Sequence, residues 1–311
     1  MNYFPLSISQ QGIWFLSQID KATSAAYNMV YAFEASKKLD EVILRKTLEV
    51  LAHRHEMLRS CVKSIAGVPQ LRIMSIDEVS HGSIRISSKN IATVALDESA
   101  VPIDLSKQPL YRVVLVEPNG GHTKGWGIVF TFTHLVFDAV SATVFFKDLS
   151  RVYGEIVANQ KPIFEPVTGD FQTITRLEKD FVSTESGQVM VQSAVKRLGG
   201  IPERLALPRN RPVSEGRLVY PAAVVKFCLS APQTDQVHKF AKHNRLTTAA
   251  IYLGIFQLLL WRYSGQSDFG VSIPVTNRGM PGSEQLIGYL TNLEIKYRFS
   301  SICQRVFRSG H

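Results

Sequence analysis

A chain of 311 residues, 45% hydrophobic and 20% charged, is long enough for two packed lobes or one large domain and is ordinary for a soluble globular protein. Its net charge of +9 comes from 35 Lys and Arg against 26 Asp and Glu, dispersed without any block of five or six like charges, which sets aside a nucleic-acid binder; acidic protein partners or phosphate-bearing substrates are what such a field attracts. Three widely spaced cysteines (Cys61, Cys228, Cys303) without a CxxC exclude a disulfide scaffold and a zinc site, and fit a reduced, cytoplasmic setting.

The N-terminus has no basic segment leading into an apolar one, so no signal peptide is expected. Residues 7–11 open a helix that either Ser7 or Ser9 can cap, followed by the apolar anchor Trp14, Phe15 and Leu16. Asp40 is the expected cap of a helix running to about His55, with Leu44, Leu48 and Leu51 on one stripe and His55 and Leu58 continuing it. Residues 75–100 are weakly patterned, and Asp97-Glu98-Ser99 reads as loop. Residues 110–117 and 127–134 read as paired strands around the turn signal Pro118-Asn119-Gly120-Gly121. In the second strand Ile128, Phe130, Phe132 and His134 share one face, while Val129, Thr131 and Thr133 share the other.

Asp138 and Ser141 then precede a helix with the stripe Phe145, Leu149, Val152 and Ile156. A proline-containing loop to Pro166 marks a lobe boundary, which divides the chain into 1–165 and 166–311. Residues 170–198 are polar and helix-prone, with Phe171, Ile174, Leu177 and Phe181 as the apolar face. An extended connection at 207–212, a strand at 222–229 and an amphipathic helix at 231–244 follow. A helix capped by Thr247 or Thr248 and ending near Gly265 contains the longest apolar run, 249–261, which is too short for a bilayer and reads as buried core. Strands at 269–275 and 289–297 complete the pattern.

The stretch Phe132-Thr133-His134-Leu135-Val136-Phe137-Asp138-Ala139 carries the chemistry. It places a histidine at a strand end and an aspartate four residues later, before a new helix, where an imidazole can be held rigidly to manage a proton. Taken alone, His134 reads as a hydrogen-bonded core histidine and Asp138 as a helix cap. The segment resembles the HHxxxDG signature of nonribosomal peptide synthetase condensation domains and their acyltransferase relatives, with Thr133 at the first histidine and Ala139 at the glycine. Further segments resemble that family's motifs in order: 7–16 (SISQQGIWFL), 54–62 (RHEMLRSCV), a remnant at Asp170-Phe171, 207–212, and 287–298 (IGYLTNLEIKYR) with Asn292 in place.

The resemblance implies a chloramphenicol-acetyltransferase-like α/β fold, two pseudo-related lobes of mixed sheet with flanking helices facing each other across a tunnel. The family's chain continues past the fifth motif, so the second lobe is expected to be incomplete. The implied activity is amide formation between substrates held as phosphopantetheine thioesters on donor and acceptor carrier proteins of neighbouring synthetase modules. His134 would be catalytic, Asp138 and Arg59 a structural pair at the site, Thr133 and Ala139 motif-flanking, and Asn292 a tunnel residue. Alanine at 139 is strained if that position needs positive φ and tolerated if it needs only a small side chain. No cofactor is bound directly, the pantetheine arm being the carriers' own, and no metal, nucleic acid or membrane is implied. Two alternatives stand beside this: an ester-forming or acyl-CoA-dependent enzyme of the same superfamily, and an inactive remnant that only docks carriers.

Overall fold

A computed structural model describes residues 2–78, 84–107, 109–118, 125–202, 204–208 and 225–298. The turn residues 119–121, most of the 207–212 connection, Cys303, and the histidines at 81, 122 and 311 lie outside them. Two compact units emerge: Met1–Gly187 with Thr276–Asn292, and Gln188–Val275 with Leu293–His311.

The first unit begins with β1 (Asn2–Pro5), α1 (Ile8–Ile19), α2 (Lys21–Ala25) and β2 (Asn28–Ala35). Ser7 starts α1: its hydroxyl accepts from Gln10 N while the Gln10 side chain returns to Ser7 N, a reciprocal capping box. Next come α3 (Glu41–Arg54), β3 (Ser60–Ile65), β4 (Val68–Ile73), β5 (Ile84–Ser87) and α4 (Ile91–Ala100). Asp40 caps α3 through Val42 N and Ile43 N, and Leu44, Leu48 and Leu51 are buried as their spacing requires. The helix α4 replaces the loop expected at Asp97-Glu98-Ser99. Asn90 caps it, and buried Glu98 ties it to Arg112 (2.7 Å) and Arg85.

Then β6 (Tyr111–Val116), β7 (Trp126–Thr133), α5 (Ala139–Val157), α6 (Phe171–Ser183) and α7 (Glu185–Leu198) follow. One sheet has the order β1-β4-β3; the other, β2-β7-β6-β5, is mixed, because only β5 and β6 run parallel. Alternation along β7 sends Ile128, Phe130 and Phe132 into the main core and Val129 into a smaller one with Val94, Val114 and Val116. The main core centres on Phe130, Phe132, Phe137 and Phe145, all at 0% exposure. Phe132 and Phe137 stack with centroids 3.8 Å apart, pinning both ends of the turn that carries His134. Such ring pairs contribute about 0.5–1.5 kcal/mol beyond burial.

The second unit holds α8 (Ala231–His243), α9 (Thr248–Ser264), β8 (Gly270–Val275) and most of β9 (Asn292–Arg298), with β8 and β9 paired. Two expectations fail here. Residues 225–229 form no strand, and α9 is not a buried helix: Gln257 is its one buried residue among those described, while Ile255, Phe256 and Leu259 face solvent. An apolar run of this length specifies a helix but not what packs against it.

Candidate active site

Strand β7 ends at Thr133, and the turn 134–138 presents the half-buried His134. His134 N donates to Tyr27 O (2.8 Å), continuing the β2–β7 register in which Asn28 faces Thr133. The ring Nδ1 lies 2.7 Å from Phe137 O. A carbonyl only accepts, so Nδ1 carries the proton and the neutral ring keeps its lone pair on Nε2. Gln10, 0% exposed in α1, donates from Nε2 to Leu135 O (2.9 Å), which is how the first motif supports the third. Thr133 is buried, and its hydroxyl accepts from Leu135 N (3.4 Å), so the residue in the place of a histidine braces the turn backbone. Ala139 is the exposed first residue of α5 with ordinary helical backbone, and it carries no positive-φ strain.

Asp138 caps α5, accepting from Ser141 N and Oγ (both 2.8 Å). Its guanidinium partner is Arg278, not Arg59. Arg278 Nη2 donates to both carboxylate oxygens (2.8 and 3.0 Å), with exposures of 4% and 0% for the two side chains. Arg278 Nη1 donates to Ser283 O and Leu286 O, and Leu290 N (3.2 Å) and Thr291 Oγ1 (3.3 Å) complete the shell around Asp138. Arg59 instead bonds Met74 O and Glu56 Oε1 (3.3 Å), locking the turn after α3 to the end of β4. The expected pairing failed because Arg59 is spent on its own neighbourhood. Asp138 has no bond to His134 either, so it anchors the site and does not orient the ring.

Through Asp138 and Ser141 the fifth-motif segment is clamped against the third. Gly288 N donates to Ser141 Oγ (3.0 Å). Gly288 must lack a side chain, since a Cβ there would lie 2.5 Å from the Phe171 ring. Phe171, of the Asp170-Phe171 remnant, is buried beneath it, and Asp170 caps α6. Tyr289 sits against His134, ring centroids 4.7 Å apart at 65°. Asn292 opens β9 and is exposed. Sequence reading missed Arg278 and Tyr289. The single available signal for Tyr289 was its place inside the fifth motif, and Arg278 had none.

A cleft of about 860 Å³ lies elsewhere in this unit, between the end of α3 and the 164–171 loop, and His134 is not among its walls. One wall holds His55, whose Nε2 lies 3.0 Å from Asp148 Oδ2, an oxygen that Arg54 Nε also meets at 3.0 Å. Burial holds the His55 pKa below the ordinary histidine value, against the opposing pull of Asp148. Among the described residues no group of three or more His, Cys, Asp or Glu is placed to hold a metal, and no helix is long and apolar enough to cross a membrane.

Mixed sheet with flanking helices and a histidine at a strand end is the chloramphenicol-acetyltransferase-like α/β architecture, and solved structures match it. The first condensation domain of the calcium-dependent antibiotic synthetase superposes with a TM-score of 0.79 at 19% identity, over 99% of this chain and 74% of that one. The condensation-domain family model matches residues 2–294, and the chain belongs to that family. It is 28% identical over 308 residues to a linear gramicidin synthase of Brevibacillus parabrevis, covering 93% of this chain and 6% of that protein. It is 25% identical over 292 residues to the polyketide synthase PksN of Bacillus subtilis, covering 93% and 5%. The chain thus spans a small part of the length of the curated relatives it matches.

Proposed function

We propose that this condensation domain joins an acyl group on a donor carrier to an amine on an acceptor carrier, each held as a phosphopantetheine thioester. The amine nitrogen attacks the donor thioester carbonyl, a C–N bond forms, the C–S bond breaks, and the donor pantetheine leaves as its thiol. His134 Nε2 accepts the ammonium proton of the adduct and returns it to the leaving sulfur. The pantetheine arms belong to the carriers, which are the partners this reading assigns within a synthetase. Holding two tethered reactants side by side supplies much of the acceleration.

The observation that carries this reading is the bond from His134 Nδ1 to Phe137 O, which leaves Nε2 as the acceptor on a ring that is half-buried and not sealed in packing. The test loads an acyl group on one carrier and an aminoacyl group on another, adds the full chain, and follows the acceptor by intact mass. Amide product is expected, falling by about 10²–10⁴-fold in His134→Ala. Undiminished product in that variant overturns the role of His134. Product from a free alcohol or acyl-CoA alone moves the chain to the ester-forming or CoA-dependent class. Carrier binding with no turnover, unchanged by the substitution, makes it a docking remnant.

A further inference from the structure

The structure assigns Tyr289 as a positioning residue that holds the His134 imidazole in one rotamer and tautomer; the kinetic part of this inference rests on the reading above. Two features make the tyrosine a fixed wall. The residues on either side of it are tied to the helix that follows the histidine turn: Gly288 N donates to Ser141 Oγ (3.0 Å) and Leu290 N to Asp138 Oδ2 (3.2 Å). Arg278 adds a third tie, donating from Nη2 to Gly288 O (3.2 Å). Tyr289 therefore has little freedom to retreat, and its ring packs at 65° to the imidazole with centroids 4.7 Å apart.

The opposite constraint comes from Phe137 O, 2.7 Å from Nδ1. Between the carbonyl and the tyrosine ring the imidazole is held on two sides. A 180° flip about its Cβ–Cγ bond would give up the Nδ1–H bond and turn a carbon toward the carbonyl. The phenol itself is no rival base: burial pushes its pKa above the ordinary tyrosine value, with Tyr27 and Asp138 adding to the effect. Its contribution is the ring, so Tyr289→Phe should preserve it and an aliphatic residue should not.

The test uses ¹⁵N-histidine-labelled full chain, with Tyr289→Phe and Tyr289→Leu. In the parent and in Tyr289→Phe, the neutral His134 ring should show the two well-separated nitrogen shifts of a single tautomer protonated on Nδ1. In Tyr289→Leu the shifts should move toward each other as the tautomers average. In the carrier assay Tyr289→Leu should lower kcat by about tenfold or more with KM little changed, and Tyr289→Phe should stay within about twofold of the parent. Nitrogen shifts in Tyr289→Leu identical to the parent's would overturn the assignment. Should Tyr289→Leu fail to fold, Tyr289→Met replaces it under the same two outcomes. The spectra need no turnover, so an inactive chain would sink the functional reading while still deciding this one.

Discussion

At the scale of single residues, Asp138 and Arg278 decide whether the site exists. Both are buried, and the carboxylate accepts from two residues of its own helix start and from Arg278, Leu290 and Thr291. Removing one member of a buried pair leaves the other charge without compensation, at a cost of about 3–5 kcal/mol. Asp138→Ala and Arg278→Ala should each lower the urea-derived stability by that order. The double variant should cost clearly less than the two single losses combined, because the second change removes a charge already stranded. Strict additivity across that cycle would show that the pair is not coupled. Half of this pair was legible: Asp138 followed three residues later by Ser141 reads as a cap. Arg278 lies 140 residues from Asp138 and follows an ordinary strand-to-loop transition, so no local pattern marks it. The resemblance pointed to Arg59 because its motif is well preserved, and motif preservation does not say which carboxylate a guanidinium meets.

Among elements, legibility followed how many side chains each one buries. The stripes of α3 and α5 are long, and their caps are acidic residues at the expected place, so both could be read directly. In α4 only Val94 and Glu98 are buried, and a stripe of one apolar and one charged residue reads as none. For α6 the face was right but its reach was overstated: Phe171 and Ile174 are buried, while Leu177 and Phe181 are exposed. The join between α3 and α5 carries its own prediction. His55, at the end of α3, meets Asp148 of α5 with its pKa lowered by burial. Where the unfolded chain binds the proton and the folded one does not, unfolding free energy rises with pH. This contribution is present above the unfolded value of about 6.5 and is lost as pH falls below it toward the folded pKa. Urea midpoints should therefore drop between about pH 6.5 and 5, and His55→Gln, which can still donate to Asp148, should flatten that drop. An equal slope in parent and variant would remove His55 as its source.

For the whole molecule, the two units differ in how their apolar residues are used. The first buries an aromatic cluster at 0% exposure under β6, β7 and α5, and the candidate site is built on that base. In the second, α9 presents Ile255, Phe256, Leu258 and Leu259 at exposures of 43% or more, and its buried Gln257 has neither amide atom hydrogen-bonded. Helices draw most of their stability from packing an apolar face, and a buried polar group left unpaired costs about 1–3 kcal/mol. The sequence showed how apolar α9 is but not what would cover it, because hydrophobicity specifies burial without naming the partner surface. Local opening of α9 should thus be far easier than opening of β7. In hydrogen exchange followed by mass spectrometry on the intact chain, peptides spanning 248–264 should exchange about 10²-fold or more faster than those spanning 126–133. Replacing Gln257 with leucine removes the unpaired amide and should slow exchange in α9 while leaving β7 unchanged. Equal protection of the two elements, or no response of α9 to that substitution, would mean that its exposed apolar face and stranded amide do not set its stability.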